Sequence, residues 1–431
     1  MHAERATLAA SVSRQTLKNM AKTVLVIGAV WPESNSSAAG QNMSGLLRAF
    51  YQHNFSIVFA SAATDSQHAD DVSEYDVTNV PISINDDAFD DMISELQPDV
   101  VVFDRYMTEE QFSWRVRKHC PQALHLLNTE DLHSLRYARH DAVKRTGSAE
   151  NVELNNALAH REIAAVLRSD ISLVISSYEY TLLVNTYQVP AQQLILLPLQ
   201  PPVSRDNTES LKLDFAQRQH FMTVGNFRHA PNWDSVLQLH QHIWPAIRKQ
   251  LPHAELHIYG AYPPKKATAL HNPKSGFLVK GWVNDVDLVM AQSRVCIAPL
   301  RFGAGVKGKL LTALLHQTPS VTTPIGAEGI ATHENWPGAV ESEYDAFVQA
   351  AVELYTNESR WQQASNRCPA LFSDYKTSVI NGNTALFAQI ELACNDIAAY
   401  RAPLLQQGMV WHHSLRSTQF MSQWIEAKNR L

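Results

Sequence analysis

The sequence has 431 residues, of which 45% are hydrophobic and 18% are charged, and its formal net charge is −6 at pH 7. This composition is typical of a well-packed globular protein and excludes a low-complexity or disordered chain. The length allows two domains of ordinary size, and the net charge gives no basic footprint for a nucleic-acid-binding surface.

The N-terminal segment, residues 1–20, is predicted to be an extension, with Met20 as an alternative start. It carries charges throughout and lacks a signal-peptide apolar core, although it leaves room for a peripheral membrane contact. A membrane-spanning helix is not expected, because no apolar run is long enough. The four cysteines show neither Cys-x-x-Cys spacing nor close histidine pairing, which argues against a zinc site and favours the reducing cytoplasm.

Short β-branched runs alternate with helical stretches from Thr23 onward, which is the pattern of a parallel sheet covered by helices. We expect residues 21–200 to form a first Rossmann-like domain on this pattern. Its predicted strands are TVLVIGA (23–29), SIVFAS (56–61), DVVVFD (99–104), ALHLLN (123–128), ISLVISS (171–177) and LILLPL (194–199).

A second series of strands follows the stretch PLQPPVSRDNTES, which predicts a linker over residues 201–218. Residues 219–385 are expected to form a second Rossmann-like domain, and residues 386–431 to be helices that pack back toward the first. The stretch PNWDSVLQLHQHIWPAIRKQL predicts one helix with a single apolar face. The second set of predicted strands is FMTVGNF (221–227), ELHIYG (255–260), FLVKGWV (277–283), RVCIAPL (294–300) and PSVTT (319–323).

The predicted fold is therefore α/β, with two doubly wound domains facing each other across a cleft. In such sheets, ligands bind outside the carboxyl ends of the strands, where loops meet the N-termini of helices. The stretch PLRFGAGVKGKLLTALL joins a strand end, a glycine-rich turn and the start of an apolar helix at one such place.

This turn has the composition of a phosphate cradle. Gly303 and Gly305 would let backbone amides approach a ligand closely, and the N-terminus of the next helix favours an anion. The alternative is an ordinary strand-to-helix loop with solvated lysines. Three cations could neutralise a diphosphate, namely Arg301, Lys307 and Lys309.

The longer stretch PLRFGAGVKGKLLTALLHQTPSVTTPIGAEGI resembles the nucleotide-sugar signature of GT-B glycosyltransferases, especially the retaining family 4 enzymes (glycosyl transferases group 1). The likeness extends in the same order to TVGNFRHAPNWDSV, LHIYGAYPP and GWVNDVDLVMAQSRVCIAPL, so it covers most of residues 221–330. The resemblance implies a GT-B enzyme that moves a sugar, with a hexose as the expected one, from a nucleoside-diphosphate sugar to an acceptor hydroxyl. It implies no permanently bound cofactor or metal ion, and it leaves the acceptor open among glycans, lipids, small molecules and macromolecules.

The resemblance also implies that the nucleotide sugar lies mainly on the second domain. Its diphosphate would rest on the glycine turn, with Lys307 as the leading cation and Arg228 of TVGNFRH as a further one. Val283 in GWVNDV would meet the base. Glu328 in PIGAEGI would face the cleft and bind sugar hydroxyls, or else be a surface carboxylate near a turn.

The sequence departs from the family pattern around the same turn. Family 4 enzymes commonly carry two glutamates eight positions apart, and Ala304 and Thr312 stand in their places here. The Thr312 hydroxyl can still hydrogen-bond a donor ribose, although it is shorter and uncharged. The glycine expected after this helix is replaced by Gln317, which predicts a different helix end.

In the first domain, LLNTEDLHSLR lies where the family has an active-site loop. By this resemblance, His133 would bind the donor sugar's hydroxyls or stabilise positive charge near the reacting carbon, and Asp131 or Glu130 would orient the acceptor. The alternative is that Asp131 simply caps a helix beginning at Leu132.

The loop WPESNSSAAGQN after the first strand is the second first-domain loop that the resemblance points to. Its small residues would let the substrate approach the next helix, while the alternative is a flexible loop with Ser37 as helix cap. The residues concerned are Ser36, Ser37, Ala39 and Gly40.

Three other functions remain open at this point. A catalytically weak GT-B protein could act as a binding or scaffolding partner, and Thr312 is the best support for it. A nucleotide-sugar epimerase of the same fold is disfavoured by the family 4 likeness. A dinucleotide oxidoreductase is disfavoured because VIGAVWPESNSSAAG has the wrong spacing for a GxGxxG fingerprint.

Overall fold

A computed structural model describes residues 22–34, 37–64, 75–202, 213–413 and 416–429. It contains two sheets in which every strand pairing is parallel, one with seven strands and one with six. Helices separate the strands along the chain and cover the sheets. This arrangement confirms the predicted α/β class with two Rossmann-like domains.

The first sheet has the strand order β3-β2-β1-β4-β5-β6-β7. Its strands are β1 (Thr23–Gly28), β2 (Ser56–Ser61), β3 (Val77–Pro81), β4 (Val100–Asp104), β5 (Leu124–Asn128), β6 (Ile171–Val174) and β7 (Leu194–Leu196). The accompanying helices are α1 (Ala38–Gln52), α2 (Ala88–Leu96), α3 (Arg105–His119), α4 (His133–Thr146), α5 (Ala157–Arg168) and α6 (Ser177–Asn185).

The second sheet has the order β10-β9-β8-β11-β12-β13. Its strands are β8 (Gln219–Val224), β9 (Leu256–Tyr259), β10 (Phe277–Gly281), β11 (Ser293–Ala298), β12 (Ser320–Thr322) and β13 (Gly338–Val340). Its helices are α7 (Ala230–Gln238), α8 (Trp244–Gln250), α9 (Lys265–Thr268), α10 (Val286–Gln292), α11 (Gly308–Leu315), α12 (Pro324–Ala327) and α13 (Tyr344–Thr356).

The C-terminal part is helical, as the sequence predicts beyond the second sheet. It consists of α14 (Glu358–Asn395), α15 (Ile397–Arg401), α16 (Leu405–His413) and α17 (Arg416–Asn429). Within the described ranges, no helix combines the length and the apolar character required to cross a membrane.

The central strands are apolar along their whole length because helices cover both faces of each sheet. In β1, Val24, Leu25, Val26 and Ile27 all have 0% exposure, and they divide between two apolar clusters on opposite faces of the sheet. The sequence predicted these strands well for that reason. Two of the four edge strands, β3 and β13, were not predicted, because β3 (VTNVP) is largely exposed and β13 (GAV) has only 3 residues.

The single helix predicted over PNWDSVLQLHQHIWPAIRKQL is wrong in one respect. The stretch forms α7 and α8 joined by a π-helical turn, Leu239–Ile243. Pro245 follows this turn, lacks an N–H and would clash with a carbonyl one turn earlier. A π turn next to Pro245 relieves that conflict while the chain stays helical.

The end of α11 also differs from the expectation. Gln317 has a φ of 51°, so it adopts the left-handed conformation that glycine usually provides after a helix. This conformation costs a residue with a Cβ atom about 1–2 kcal/mol. Ser365 on α14 stabilises the turn by donating a hydrogen bond to the Gln317 carbonyl at 2.9 Å.

Helix α14 begins beside the second sheet and ends in the core of the first domain. Its last turns place Leu386, Phe387 and Ile390 in the apolar cluster that covers one face of the first sheet. The Phe387 ring stacks on His53 with a centroid distance of 3.5 Å. The exact domain boundaries stay a prediction, and residues 1–20 and most of the linker, 203–212, lie outside the described residues.

We expect Leu386→Ala to destabilise the protein by about 2–5 kcal/mol, the usual cost of a cavity in a packed core. Leu386 has 0% exposure, whereas Leu392 on the same helix has 60% exposure. Leu392→Ala is therefore the matched control and should change the free energy of unfolding by less than about 0.5 kcal/mol. Equal effects of the two substitutions in urea denaturation would show that the end of α14 does not belong to the core.

Candidate active site

The carboxyl ends of both sheets open into one cleft of about 480 Å³, a size typical of small-molecule sites. Loops after β1 and β5 line it from the first domain, and loops after β8, β10 and β11 line it from the second. This is the position that parallel sheets favour for a ligand. The cleft brings together eleven residues expected from the sequence, whereas the expected Gly305 is not among the residues that line it. The eleven are Ser37, Ala39, Glu130, Asp131, His133, Arg228, Val283, Gly303, Lys307, Lys309 and Thr312.

The glycine turn between β11 and α11 lies directly against the first domain. Gly305 has a φ of 62°, and a Cβ atom there would lie 2.8 Å from the Asp131 Cβ atom. A Cβ atom on Gly308 would lie 2.9 Å from that of Ala38. Larger residues would therefore push the turn away from the first-domain loops, so the glycines are required by close approach of the two domains.

Lys307 is the N-cap residue of α11 and is only 9% exposed. Its Nζ atom donates a 2.7 Å hydrogen bond to the Gly305 carbonyl. Burial lowers the pKa of Lys307 to about 8, although the nearby Glu328 carboxylate raises it. A buried ammonium at a helix N-terminus is suited to bind an anion entering the cleft.

The other expected cations have different surroundings. Lys309 donates to the Asn232 side chain at 2.8 Å, and burial lowers its pKa to about 8. Arg228 is exposed at the cleft, with its guanidinium carbon 3.7 Å from the centroid of the Tyr262 ring. Arg301 is not among the residues that line the cleft, and its guanidinium forms an ion pair with Asp234.

Glu328 also differs from its expected position. Both of its carboxylate oxygens accept hydrogen bonds from Arg139 on α4, at 2.8 and 2.6 Å. Both oxygens of Glu328 are therefore bound by a first-domain side chain, and Glu328 is not among the residues that line the cleft. Thr312 does line it, while its hydroxyl donates to the Gly308 carbonyl at 3.2 Å. The hydroxyl oxygen can still accept a hydrogen bond.

The loop after β5 holds Asp131 and His133 together. His133 Nε2 lies 3.6 Å from Asp131 Oδ1, and Arg136 on the next turn binds Asp131 Oδ2. Burial raises the pKa of Asp131, but Arg136 and His133 together hold it well below its usual value. Burial lowers the pKa of His133 to about 4, against the opposing effect of Asp131. At neutral pH the pair is thus an ionised carboxylate beside a neutral imidazole.

Asp131 does not cap α4, which contradicts the structural alternative for this residue. The helix begins at His133, and Asp131 makes no capping hydrogen bond. Instead, Glu162 on α5 accepts hydrogen bonds from the His133 and Ser134 amides, each at 2.9 Å. The Glu162 carboxylate therefore caps the N-terminus of α4, and the Asp131 side chain can face the cleft.

Glu130 lies at the base of the cleft and is 4% exposed. One of its oxygens accepts hydrogen bonds from Asn42 at 3.0 Å and Asn128 at 2.9 Å. Burial, reinforced by the neighbouring Asp104, raises the pKa of Glu130 to about 7. Its φ of 53° is uncommon outside glycine, and such conformations concentrate at functional sites.

The first-domain loop after β1 is only partly described. Ser37 caps α1, because its hydroxyl accepts a hydrogen bond from the Gly40 amide at 3.0 Å. Ser37 and Ala39 also line the cleft, whereas Gly40 does not. Ser36 lies outside the described residues.

Sequence reasoning missed several residues that line the cleft: Arg105, Arg136, His229, Asn232 and Trp282. Arg105 directly follows the carboxyl end of β4 and has a φ of 72°. Its place after a strand was a usable signal, because the other strands that end at this edge supply site residues. Arg136 lies within the quoted LLNTEDLHSLR but gives no pattern of its own.

One group of side chains in the described part of the chain could hold a metal ion, namely His220, Glu255 and His257. Glu255 Oε2 lies 2.8 Å from His257 Nε2 and 3.8 Å from His220 Nε2. However, the Glu255 amide donates to His220 Nδ1, so the proton of a neutral His220 ring is on Nε2. That tautomer directs a proton, not a lone pair, toward the other two groups, and the cluster lies away from the cleft residues.

Comparisons with known proteins agree with this geometry. Residues 218–357 match the family model described as "Glycosyl transferases group 1". Comparison with curated protein sequences gives no significant match. The matched segment contains the second sheet, the glycine turn and all of the second-domain cleft residues.

Solved structures with a similar fold include glycosyltransferases. HepE from Anabaena, solved with UDP, has a TM-score of 0.61 and 10% identity, covering 86% of this chain and 99% of that one. A glycosyltransferase from Rickettsia africae has a TM-score of 0.56 and 12% identity, covering 89% of this chain and 99% of that one. The pneumococcal O-GlcNAc transferase, solved with UDP and GlcNAc, has a TM-score of 0.58 and 12% identity, covering 84% of this chain and 99% of that one.

These identities are low, so the structural likeness establishes the fold, while the family match identifies the second domain. The resemblance expected from the sequence and the expected enzyme class, a glycosyltransferase, are both confirmed. The chain has the GT-B fold, and its residues 218–357 match the glycosyl transferases group 1 family model.

Proposed function

We propose that the protein is a retaining, metal-independent glycosyltransferase of the family 4 type. It moves a sugar, with a hexose as the expected one, from a nucleoside-diphosphate sugar to an acceptor hydroxyl. The observation that carries this proposal is the position of Lys307, a buried cation at the N-terminus of α11 that faces Asp131 and His133 across the cleft.

The diphosphate of the donor would bind at the start of α11. The N-terminus of α11 and the Lys307 ammonium supply positive charge there, and Lys309 and Arg228 lie at the same cleft. Departure of the nucleoside diphosphate develops negative charge on the β-phosphate, which preorganised donors of this kind stabilise. These fixed positive groups support a mechanism in which no metal ion is needed.

UDP is the nucleotide that we would test first. HepE was solved with UDP and with UDP-glucose, and the pneumococcal enzyme with UDP and GlcNAc. In this chain the base would meet the loop after β10, where Val283 and Trp282 line the cleft. Thr312 would contribute its hydroxyl to the ribose site in place of the usual glutamate.

The reaction would take place between the glycine turn and the loop after β5. His133, neutral at pH 7, would bind a donor hydroxyl without adding a positive charge next to the departing sugar. Asp131 is held ionised by Arg136 and is therefore a weak base, suited to orient the acceptor. Glu130, with a pKa of about 7, is the better matched group to accept the acceptor's proton.

We place the reaction in the cytoplasm. The four cysteines all fall within described residues and all are unpaired, as is usual in reducing compartments. The peripheral membrane contact considered for the N-terminal segment stays a prediction, because residues 1–21 lie outside the described part of the chain. The acceptor stays open.

The proposal is tested by calorimetry with UDP, GDP and ADP. We expect one of these nucleotides to bind, and Lys307→Ala to weaken that binding by about 1.5–3 kcal/mol, the range for a hydrogen bond to a charged group. Lys280→Ala, which removes an exposed lysine outside the cleft, should leave the affinity unchanged. Unchanged affinity in Lys307→Ala would remove the phosphate site from the glycine turn.

His133→Ala should lower turnover of the sugar nucleotide at least tenfold, which corresponds to about 1.4 kcal/mol of barrier. Its melting temperature should stay near that of the wild type, because Glu162 binds the backbone amide of residue 133 and not its side chain. Product anomers followed by NMR would show retention of configuration. Loss of folding in this variant would assign His133 to the structure, and binding of a nucleotide without any transfer or hydrolysis would favour the scaffolding alternative.

The His133 ring should remain neutral through pH 6–8, since burial lowers its pKa to about 4. NMR titration of ring carbons measures this directly, and Asp131→Asn should lower the midpoint further by removing the charge that raises it. Because the folded-state pKa lies below the unfolded value of 6.5, this histidine's contribution to stability is complete above pH 6.5 and is lost as the pH falls toward 4. A midpoint at or above 6.5 would contradict the buried position.

A further inference from the structure

The glycine turn of the second domain is bound by a buried carboxylate of the first domain. Glu179, in the first turn of α6, has 0% exposure. Its Oε1 atom accepts a 2.8 Å hydrogen bond from the Gly305 amide and a 3.0 Å hydrogen bond from the Leu132 amide. One oxygen atom of Glu179 therefore links the glycine turn to the loop that carries Asp131 and His133.

A second first-domain side chain binds the same turn two residues away. Arg139 on α4 is 5% exposed and donates to the Gly303 carbonyl at 2.8 Å. The same guanidinium binds both oxygens of Glu328, and it lies 4.9 Å from the ring centroid of Tyr178, which precedes Glu179. Arg139 therefore ties the turn and the loop after β12 to α4 and α6 at once.

Lys307 depends on the shape of the same turn. Its ammonium is held by the carbonyl of Gly305, whose amide is the group that Glu179 binds. The turn is also enclosed sterically, because a Cβ atom on Gly305 would lie 2.9 Å from Ile175 of the first domain. Any movement of the first domain away from the turn breaks these contacts and frees the Lys307 side chain to move.

Stability of the fold does not explain Glu179. Among the described residues its Oε2 atom has no hydrogen-bond partner, and a buried carboxyl group in this state is costlier than an apolar side chain. Burial, with a further contribution from Asp131, raises the pKa of Glu179 to about 8, so the group is mainly protonated at neutral pH. The carbonyl oxygen of the protonated carboxyl group then accepts hydrogen bonds from both amides. We infer that Glu179 serves to link these two backbone segments.

We propose that Glu179 and Arg139 are positioning residues of the sugar transfer. They hold the glycine turn and Lys307 in the donor-binding arrangement only while the first domain is docked against the second. Donor affinity and domain closure are therefore coupled through side chains that are not in the donor cleft. This inference rests on the proposed function for its meaning, but the bracing of the turn is a property of the protein alone.

The test compares Glu179→Ala with Glu179→Gln. The alanine variant removes the bridging oxygen. We expect at least about tenfold weaker binding of UDP in calorimetry, or of GDP or ADP where the wild type binds that nucleotide instead, together with faster hydrogen exchange of amides 303–309. The glutamine variant retains a carbonyl oxygen at the bridging position. It should restore slow exchange and bind UDP within about threefold of the wild type.

Glu109→Gln is the control for loss of stability without loss of bracing. Glu109 is fully buried and paired with Arg168, and both residues belong to the first domain. This variant should lower the melting temperature but leave UDP affinity and exchange of residues 303–309 unchanged. If Glu179→Ala does not fold, Arg139→Lys takes its place, because lysine lacks the guanidinium fork that contacts Gly303 and Glu328 together.

The outcomes separate this inference from the proposed function. A wild-type protein that binds UDP, with an alanine variant that matches the Glu109→Gln control in both measurements, overturns the inference. If the wild type binds none of the nucleotides, the proposed function fails. The hydrogen-exchange measurement alone then decides whether Glu179 braces the glycine turn. Faster exchange of the turn in Glu179→Ala then supports the bracing, and unchanged exchange refutes it.

Discussion

Parallel strands deliver all of their carboxyl ends to one edge of a sheet, and this geometric constraint decides where chemistry can occur in the protein. The two sheets turn those edges toward each other, so that loops distant in the sequence share one cleft. Close approach then requires small residues at the contact. Gly305 against Asp131 and Gly308 against Ala38 meet that requirement, and their Cβ-free backbones allow the domains to dock.

Docking has an electrostatic consequence for the cleft. Lys307 and Lys309 lie at this cleft, and burial lowers the pKa of both to about 8, so the surrounding protein does not fully stabilise their charges. A diphosphate would supply the missing negative charge, and in doing so would favour the docked arrangement. On the opposite wall, the carboxylates Asp131 and Glu130 have pKa values displaced in opposite directions. Different protonation states would suit the two roles proposed for these groups, with Asp131 orienting the acceptor and Glu130 accepting its proton.

The fold was predictable where local patterns carried the information. Buried strands such as β1 are continuous apolar runs, and the turn after β11 is recognisable from its glycines and lysines. Prediction failed where a tertiary neighbour overrode a local rule. The exposed edge strand β3 forms by pairing with β2, and Gln317 takes a left-handed conformation that local propensity opposes.

For the site, the sequence by itself determined most of the loops that reach the cleft, because strand ends and helix starts are local features. It missed the loop after β4, and it wrongly included Glu328 in the loop after β12. It also determined the family likeness, which rests on contiguous motifs. Only the tertiary structure decided which side chains remain available there. Arg139 engages Glu328 from 189 residues away, Asp234 engages Arg301, and Glu179 binds the Gly305 amide across the domain boundary. Pairings of this kind depend on how separate elements dock, and no periodicity or spacing within a single segment encodes them.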